Sequence, residues 1–351
     1  MGQVTVEHLV HTLRSQGRFC ASSGSPMYGE LFELVAGDVE AGGVFATVLS
    51  GREDAPSRDA VPLRLLGGLH RLVLDGRAAR LRRFYPSAGG GWDARSAWPE
   101  ILDTAAGHVD VLRAALGQPP QTNEVGRSAA LIGGLLHISH EFGLPIRLFE
   151  IGSSAGLNLR GDQYRYEFAG GHWGPADSPV TIADAWRGAL PPRRDVRIVA
   201  RHGYDIAPID VGDADGEMTV LSYVWPDQGA RLARLRGAIE VARRVPAVLE
   251  RRTAADAVAG LTLAEGALTV LWHSITWQYL SADERAAVRA HVDALAGRAD
   301  ARSPFAHLTM EPARDGPGES IKFLVRARVW PGGAPQVLGE CHPHGPPVDW
   351  Q

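Results

Sequence analysis

The stretch RLFEIGSSAGLNL, residues 147–159, decides the fold prediction. It begins as an apolar run that ends in the carboxylate Glu150, turns through Gly152 and Gly156, and resumes at Asn158. Glycines at a turn let the backbone bend sharply and let a ligand approach closely, and the first amides of a helix are free to donate hydrogen bonds. The pattern therefore predicts a strand, a tight loop and a helix start that together hold a ligand.

Two kinds of site share this outline. One is the acidic glycine loop that binds a nucleotide cofactor in a Rossmann-like domain. The residues that would contact such a cofactor are Glu150, Gly152, Ser153, Ser154, Gly156 and Asn158. The other is the Gly-x-Ser-x-Gly nucleophile elbow of a serine esterase of the α/β-hydrolase type, with Ser154 as nucleophile. The residue sequence of the loop is compatible with both kinds of site.

Composition limits the class of protein. A chain of 351 residues, 45% of them hydrophobic, can bury a full core or form two domains. A net charge of -4 argues against duplex nucleic acid as a partner, because phosphate binding needs a surplus of Lys and Arg. The sequence contains no recognisable leader, no long apolar run and only two cysteines. We therefore expect a cytoplasmic protein without membrane or nucleic-acid partners, and a homodimer is left open.

The sequence pattern changes near residue 146. Before it, apolar residues recur at helical spacing, which predicts an all-helical N-terminal cap over 1–145. After it, strands and helices alternate, which predicts a mostly parallel α/β domain over 146–351 with an antiparallel edge. A β insertion is expected at about 164–215.

Individual elements follow from the same periodicities. Helices are predicted at 61–83, 97–116, 124–142, 229–245, 253–260 and 281–297, the last opening with the capping box Ser281 to Glu284. Strands are predicted at 147–151, 164–168, 180–184, 196–201, 219–224, 268–273, 305–310, 321–329 and 336–340.

The order of these elements resembles that of Rossmann-like methyltransferases that use S-adenosylmethionine. Those enzymes have an acidic-x-Gly-x-x-x-Gly loop after the first strand and acidic residues after the second and third. Glu150 to Gly156 match the loop, YVWPDQ matches a second strand ending near Asp227, and AVLERRTAAD matches a third with Asp256. The resemblance implies S-adenosylmethionine as cofactor and methyl transfer to a small-molecule acceptor.

The second strand of this resemblance has two possible assignments. About 75 residues separate Gly152 from Asp227, more than a single helix needs. An alternative places the strand at 196–201 and the ribose-binding acid at Asp205. Asp227 is preferred because a helix is predicted directly after it.

The remaining candidates lie at predicted strand ends or just after the loop. His273 ends the fourth strand, where α/β proteins place ligand-facing residues, and would act as a general base; Tyr164 is the second catalytic candidate. Arg165, Trp277 and Glu311 are predicted to contact the substrate.

The esterase hypothesis has its own support. Residues 154–159 resemble the serine elbow of acetylesterases and hormone-sensitive-lipase-like hydrolases, and Gly89-Gly90-Gly91 lies where their oxyanion loop falls. That fold needs parallel strands before the elbow, and the sequence predicts only helices there. A third hypothesis is a Rossmann-like protein that binds a ligand without catalysis.

Two further motifs contain residue types that bind ligands. QTNEVGR, residues 121–127, suits either a helix cap or a carboxylate-binding site, and its helix start is expected at the edge of the sheet opposite the glycine loop. Cys341-His342-Pro343-His344 offers metal-ligand types, but the prolines restrict their convergence, so no metal is predicted.

The chain as a whole resembles a bacterial family catalogued as a domain of unknown function. The resemblance runs through SPMYGELFELVAGDV, FYPSAGGGW, QTNEVGR, EIGSSAGLNL, GYDIAPID, VWPDQGARL, HSITWQYL and CHPHG. This family brings no established activity.

Overall fold

The computed structural model describes residues 3–314 and 321–351, which pack as two units. The helical unit comprises the chain up to residue 122 together with 213–232, and the sheet unit comprises 123–212 and 233–351. In the described residues no helix is both long and apolar enough to cross a membrane.

The α-helices are α1 (Gln3–Ser22), α2 (Pro26–Glu40), α3 (Val44–Leu49), α4 (Val61–Leu74), α5 (Ala94–Gly107), α6 (Val109–Ala115), α7 (Ser128–Ser139), α8 (Ala214–Ser222), α9 (Gly229–Arg244), α10 (Ala254–Ala259) and α11 (Ala282–Ala296). Short 3-10 helices lie at Ser57–Asp59, Ala79–Phe84, Pro86–Ala88, Val125–Arg127, Leu157–Gln163 and Trp277–Tyr279.

The strands are β1 (Ile146–Ile151), β2 (Arg165–Phe168), β3 (Gly171–Trp173), β4 (Thr181–Ile182), β5 (Trp186–Gly188), β6 (Ile198–Asp205), β7 (Val248–Arg251), β8 (Leu268–Ser274), β9 (Phe305–Ala313), β10 (Lys322–Trp330), β11 (Gln336–His342) and β12 (Gly345–Trp350). The main sheet has the order β7-β6-β1-β8-β9-β10-β11-β12-β5, and β3-β2-β4 form a small second sheet.

The main sheet is parallel from β7 to β9 and antiparallel from β9 to β12. This arrangement confirms the predicted mixed α/β class with a helical N-terminal region and a mostly parallel sheet that has an antiparallel edge. Because β6, β1, β8 and β9 run in the same direction, their carboxyl ends meet at one edge. We call this the carboxyl edge.

Helices cover both faces of the parallel strands. Gly134 of α7 lies so close to Leu308 of β9 that a Cβ would meet its side chain at 2.8 Å. Phe305 of the same strand belongs to a core with Val288 and Val292 of α11. Since alternate residues of a strand face opposite sides, α7 and α11 lie on opposite faces of the sheet.

The helical unit is built on amphipathic helices around one core. Ser25 precedes α2 as its N-cap, with Pro26 in the first turn. The Ser25 hydroxyl accepts the Tyr28 amide at 3.3 Å, and α2 buries Leu31 and Phe32 completely.

Several predicted elements differ from the structure. The strand predicted over 219–224 is wrong, because residues 219–222 belong to α8, whose first amides are capped by the Asp213 carboxylate. A short apolar run does not distinguish a buried strand from a buried helix. The helix predicted over 61–83 ends at Leu74, before Gly76 with a φ of 84°. The helix predicted over 97–116 is divided at His108 into α5 and α6.

The capping box before α11 forms by half. The Ser281 hydroxyl accepts the Glu284 amide at 3.1 Å. The Glu284 carboxylate accepts the Ala254 amide at 3.0 Å, so it caps α10 instead of returning to Ser281. Tertiary packing redirects this side chain to a neighbouring helix.

Candidate functional site

Four polar side chains lie at the carboxyl edge, on four adjacent strands. Glu150 lies near the end of β1, Asp205 ends β6, His273 lies near the end of β8, and Glu311 lies on β9. Glu150 is in register with Trp272, so His273, one residue further along, points to the opposite face. A ligand that met both side chains would have to lie across the ends of the strands.

His273 and Glu311 form the centre of a buried hydrogen-bond network. Nδ1 of His273 lies 2.7 Å from Oε1 of Glu311, and Nε2 lies 3.1 Å from Nε2 of His307. The amides of Thr276 and Trp277 donate to the same Glu311 oxygen, at 3.0 and 3.2 Å. The Trp277 ring stacks on His273 with centroids 5.3 Å apart. Glu311 therefore orients the imidazole and the loop after β8 together.

A proton lies between Nε2 of His273 and Nε2 of His307, because one of these two nitrogens has to donate to the other. Burial lowers the pKa of His307 well below its usual value, and the neighbouring His273 and Arg328 add to this effect. A carboxylate, an imidazole and a second imidazole in series can pass a proton along their hydrogen bonds. Neither this network nor any other group of His, Cys, Asp and Glu among the described residues is arranged to hold a metal ion.

Glu150 is a buried acid. Its Oε1 accepts the Trp272 indole N–H at 3.2 Å, and its Oε2 is buried without a hydrogen-bond partner in the described structure. Burial raises the pKa of Glu150 to about 8, with a smaller contribution from the nearby Asp205 charge. The carboxyl group is therefore mostly protonated at neutral pH.

The glycines of the loop make room for protein atoms. Gly152 has a φ of 69°, and a Cβ there would lie 2.3 Å from Oγ1 of Thr276. Gly156 has a φ of 63°, and its Cβ would lie 2.6 Å from the Leu249 side chain. Only glycine adopts these angles readily and admits these neighbours. The loop is therefore packed against the ends of β7 and β8.

Most loop amides are also used within the protein. Gly152 and Ser153 donate to the Tyr204 carbonyl, Ser154 donates to Oδ2 of Asp205 at 2.9 Å, and Leu157 donates to Oδ1 of Asn123 at 3.0 Å. The α-helix predicted to start at the loop is absent, because Leu157–Gln163 is a 3-10 helix with a kink at Arg160. The sequence predicts unpaired amides at the first turn of an α-helix after the loop, and residues 157–163 do not provide them.

Several unpartnered polar atoms lie around the carboxyl edge. Buried side-chain atoms without a hydrogen-bond partner in the described structure include Oε2 of Glu150, Oγ of Ser153, Oδ1 of Asn158 and Oε2 of Glu311. Buried polar atoms are normally paired, and exceptions are frequent where a ligand, ion or water completes the pairing. The edge thus has the character of a binding site.

The structure brings some predicted site residues together and separates others. Glu150, Ser153, Ser154, His273, Trp277 and Glu311 lie at or beside the carboxyl edge. Asp227 lies in the helical unit, where its carboxylate accepts the Ser25 hydroxyl at 2.6 Å and the Met27 amide at 3.0 Å. Because no strand forms over 219–224, the strand that ends in an acid beside β1 is β6, with Asp205.

Asp256, Tyr164 and Arg165 have local partners. Asp256 is exposed in the first turn of α10 and accepts the Thr253 hydroxyl at 2.8 Å. Tyr164 is fully buried and donates its hydroxyl to the Leu157 carbonyl at 2.6 Å; burial raises its pKa. Arg165 pairs with Glu167 on β2 at 2.9 Å. Each of these contacts joins residues that are close together in the sequence.

The QTNEVGR segment lies at the carboxyl edge, so its predicted position at the opposite edge is wrong. Asn123 accepts the Leu157 amide, and Nη1 of Arg127 donates to the Ser274 carbonyl at 3.4 Å. The physical reason is chain direction: a helix that leads into a strand runs back along the sheet, so its start lies beside the strand's carboxyl end.

Sequence reasoning missed three residues of this region. His307 is not among the predicted site residues, although its spacing of four from Glu311 places both on one face of β9. Thr276 and Arg160 carry no sequence motif. Their positions depend on the conformations of the loops that contain them.

We compared the chain with known proteins. Neither the curated proteins nor the solved structures contained a match. One family model covers residues 10–350, nearly the whole length. The chain therefore belongs to the family described as "Uncharacterized protein conserved in bacteria (DUF2332)".

Proposed function

We propose that the sheet unit is a Rossmann-like domain that binds S-adenosylmethionine and transfers its methyl group to a small-molecule acceptor. The observation that carries the proposal is the parallel order β7-β6-β1-β8-β9 with acids at the adjacent ends of β1 and β6. In α/β sheets ligands bind outside the carboxyl ends of the strands, where the direction of chain connection reverses. That point lies between β1 and β8, so Glu150 stands beside it, and Asp205 ends the next strand on the other side of β1.

The carboxyl edge fits this cofactor in its acidic residues. Asp205 is partly exposed, and each of its oxygens accepts one amide, from Ser154 and Ala207 at 2.9 Å. A carboxylate has about four acceptor positions, so it retains capacity for ribose hydroxyls. The orphaned oxygens of Glu150 and Ser153 supply further polar contacts after small rearrangements. The glycines, by contrast, are filled by Thr276 and Leu249, so cofactor binding would rest on carboxylates and not on a glycine-lined cradle.

Few of the protein's own side chains would take part in the chemical step. The cofactor supplies an electrophilic methyl group, and most of the rate gain in such a displacement comes from positioning. Because both ring nitrogens of His273 are bonded within the network, the acceptor's proton would reach His273 through His307, and Glu311 would stabilise the imidazolium. Trp277, stacked on His273, limits the access of water to the ring.

Ligand-induced stabilisation tests the proposal. S-adenosylmethionine or S-adenosylhomocysteine at 100 times its dissociation constant should add about 2.7 kcal/mol to the stability of the full chain. Asp205→Asn should reduce this shift, whereas the matched variant Asp256→Asn should keep it. If neither compound shifts the melting temperature of the wild type, the proposal is wrong. A shift without methyl transfer to any acceptor would favour the non-catalytic binding hypothesis.

A serine hydrolase is the second candidate, and one observation favours it. Ser154 has a φ of 51°, a left-handed conformation that non-glycine residues adopt rarely and that is typical of strained functional turns. Against it, both ring nitrogens of His273 are bonded to Glu311 and His307, so His273 is not the base of Ser154. Labelling by a fluorophosphonate in the wild type and in Ser153→Ala, lost only in Ser154→Ala, would support the hydrolase over the methyltransferase.

A further inference from the structure

Arg160 is a buried cation whose partners in the described structure are all carbonyl groups. The residue is 5% exposed. Its Nε donates to the Val245 carbonyl at 3.0 Å, and Nη1 donates to the carbonyls of Ala155 and Gly156 at 3.3 and 2.8 Å. Within residues 3–314 and 321–351 it makes no ion pair. Carbonyl dipoles solvate the charge but do not neutralise it, and buried cations are normally paired with an anion.

The local backbone conformation directs the Arg160 side chain into the protein. The 3-10 helix Leu157–Gln163 kinks at Arg160, where φ is -103° and ψ is 15°. Gly156 has no side chain to obstruct the group, since a Cβ there would lie 3.2 Å from Nη1. Burial lowers the pKa of Arg160, which shows that the surroundings offer the cation less stabilisation than water does.

An open cleft of about 340 Å³ borders this guanidinium. Its walls are mixed in polarity, and the apolar side chains among them are Pro208, Ile209, Val211, Ala247 and Leu249. Asp210 and Arg243 lie at the exposed rim, and Asp210 accepts the Gly212 amide at 2.8 Å. The third guanidinium nitrogen, Nη2 of Arg160, donates to none of the described residues. The cleft therefore combines apolar side chains with a buried cation that has no ion-pair partner among the described residues.

We infer that this cleft binds a small organic acid, with its carboxylate on Nη2 of Arg160 and its apolar body against Val211, Ala247 and Leu249. The volume lies within the range of small-molecule sites, and a carboxylate would supply the missing countercharge through charge-assisted hydrogen bonds. A phosphate fits less well, because it would bring a second charge and additional oxygens that the apolar side chains of Val211, Ala247 and Leu249 cannot pair. The inference does not depend on methyl transfer.

Isothermal titration of the full chain with phenylacetate tests the site. The neutral isostere phenylacetamide has the same shape but no charge, so it should bind at least about tenfold more weakly, as expected for a hydrogen bond to a charged group. Equal affinity for the two compounds, or no binding of phenylacetate at about 10 mM, would overturn the inference. Tighter binding of phenyl phosphate than of phenylacetate would overturn the carboxylate assignment.

Two pairs of variants locate the binding. Arg160→Gln should weaken phenylacetate binding about tenfold or more, whereas Arg244→Gln, an exposed arginine of α9 paired with Glu240, should not change it. Ala247→Trp should fill the cleft and abolish binding without touching the guanidinium, whereas Ala294→Trp, exposed on α11, should have no effect. If Arg160→Gln does not fold, the Ala247 pair still decides: unchanged affinity in Ala247→Trp contradicts the site.

Discussion

Oε1 of Glu311 lies 2.7 Å from Nδ1 of His273 and accepts the amides of Thr276 and Trp277 as well. One carboxylate oxygen thus holds the imidazole and the turn that follows β8. We expect Glu311→Ala to lower the free energy of unfolding by about 2–4 kcal/mol, because it leaves buried donors without an acceptor. Urea denaturation of this variant beside Glu265→Ala, an exposed position, measures the difference; equal stability of the two would contradict the role assigned to Glu311.

Glu150 should make the protein less stable as the pH rises. Its pKa is about 8 in the folded chain and 4.5 without burial, so the folded state holds a proton that the unfolded state releases between these values. Its contribution is therefore fully present below about pH 4.5 and is lost as the pH rises through about 8. Glu150→Gln, which is neutral at every pH, should flatten this part of the stability profile in thermal or urea denaturation; an unchanged profile would exclude a buried, protonated Glu150.

His70 should act in the opposite direction. This fully buried side chain of the helical unit lies 3.0 Å from the Ser222 carbonyl, and burial lowers its pKa to about 4. The unfolded chain then binds the extra proton, so stability is lost as the pH falls from about 6.5 to about 4. We expect His70→Gln to reduce the loss of stability at acidic pH. Thermal denaturation followed by circular dichroism at a series of pH values measures this loss. Exposed His8 provides the matched substitution, for which no change is expected.

Gly152 and Thr276 should be energetically coupled. Gly152→Ala places a methyl group 2.3 Å from Oγ1 of Thr276 at a φ of 69°, so we expect a loss of about 2–3 kcal/mol. In Thr276→Ala the two nearest atoms are gone, and the double variant should lose less than the sum of the single changes. Additive losses in the double-mutant cycle would mean that the glycine is required by backbone conformation alone.

Asp227 should support the helical unit and not the cofactor. Its carboxylate accepts the Ser25 hydroxyl and the Met27 amide at the start of α2, so Asp227→Ala should cost about 2 kcal/mol of stability. The same variant should retain the thermal shift with S-adenosylhomocysteine, measured relative to its own unliganded melting temperature. A lost shift in a folded Asp227→Ala would restore this residue as the ribose-binding acid.

Local sequence patterns predicted much of the fold. The strands β1, β8, β9, β10 and β11 and the helices α9, α10 and α11 lie close to their predicted bounds, because period, caps and turn residues act within a few positions of each other. The same patterns failed over 219–224, where an apolar run is compatible with either a strand or a helix and its neighbours decide.

The sequence by itself determined the α/β class, the strand–loop junction with Glu150, and the family to which the chain belongs. Only the tertiary structure decided that β6 and Asp205 stand beside β1, that Asp227 caps a helix, and that His273, His307 and Glu311 form one network. The physical reason is that a hydrogen bond or a buried charge depends on which residues are neighbours in space. Residues as far apart as Ser25 and Asp227 become neighbours only when the chain packs.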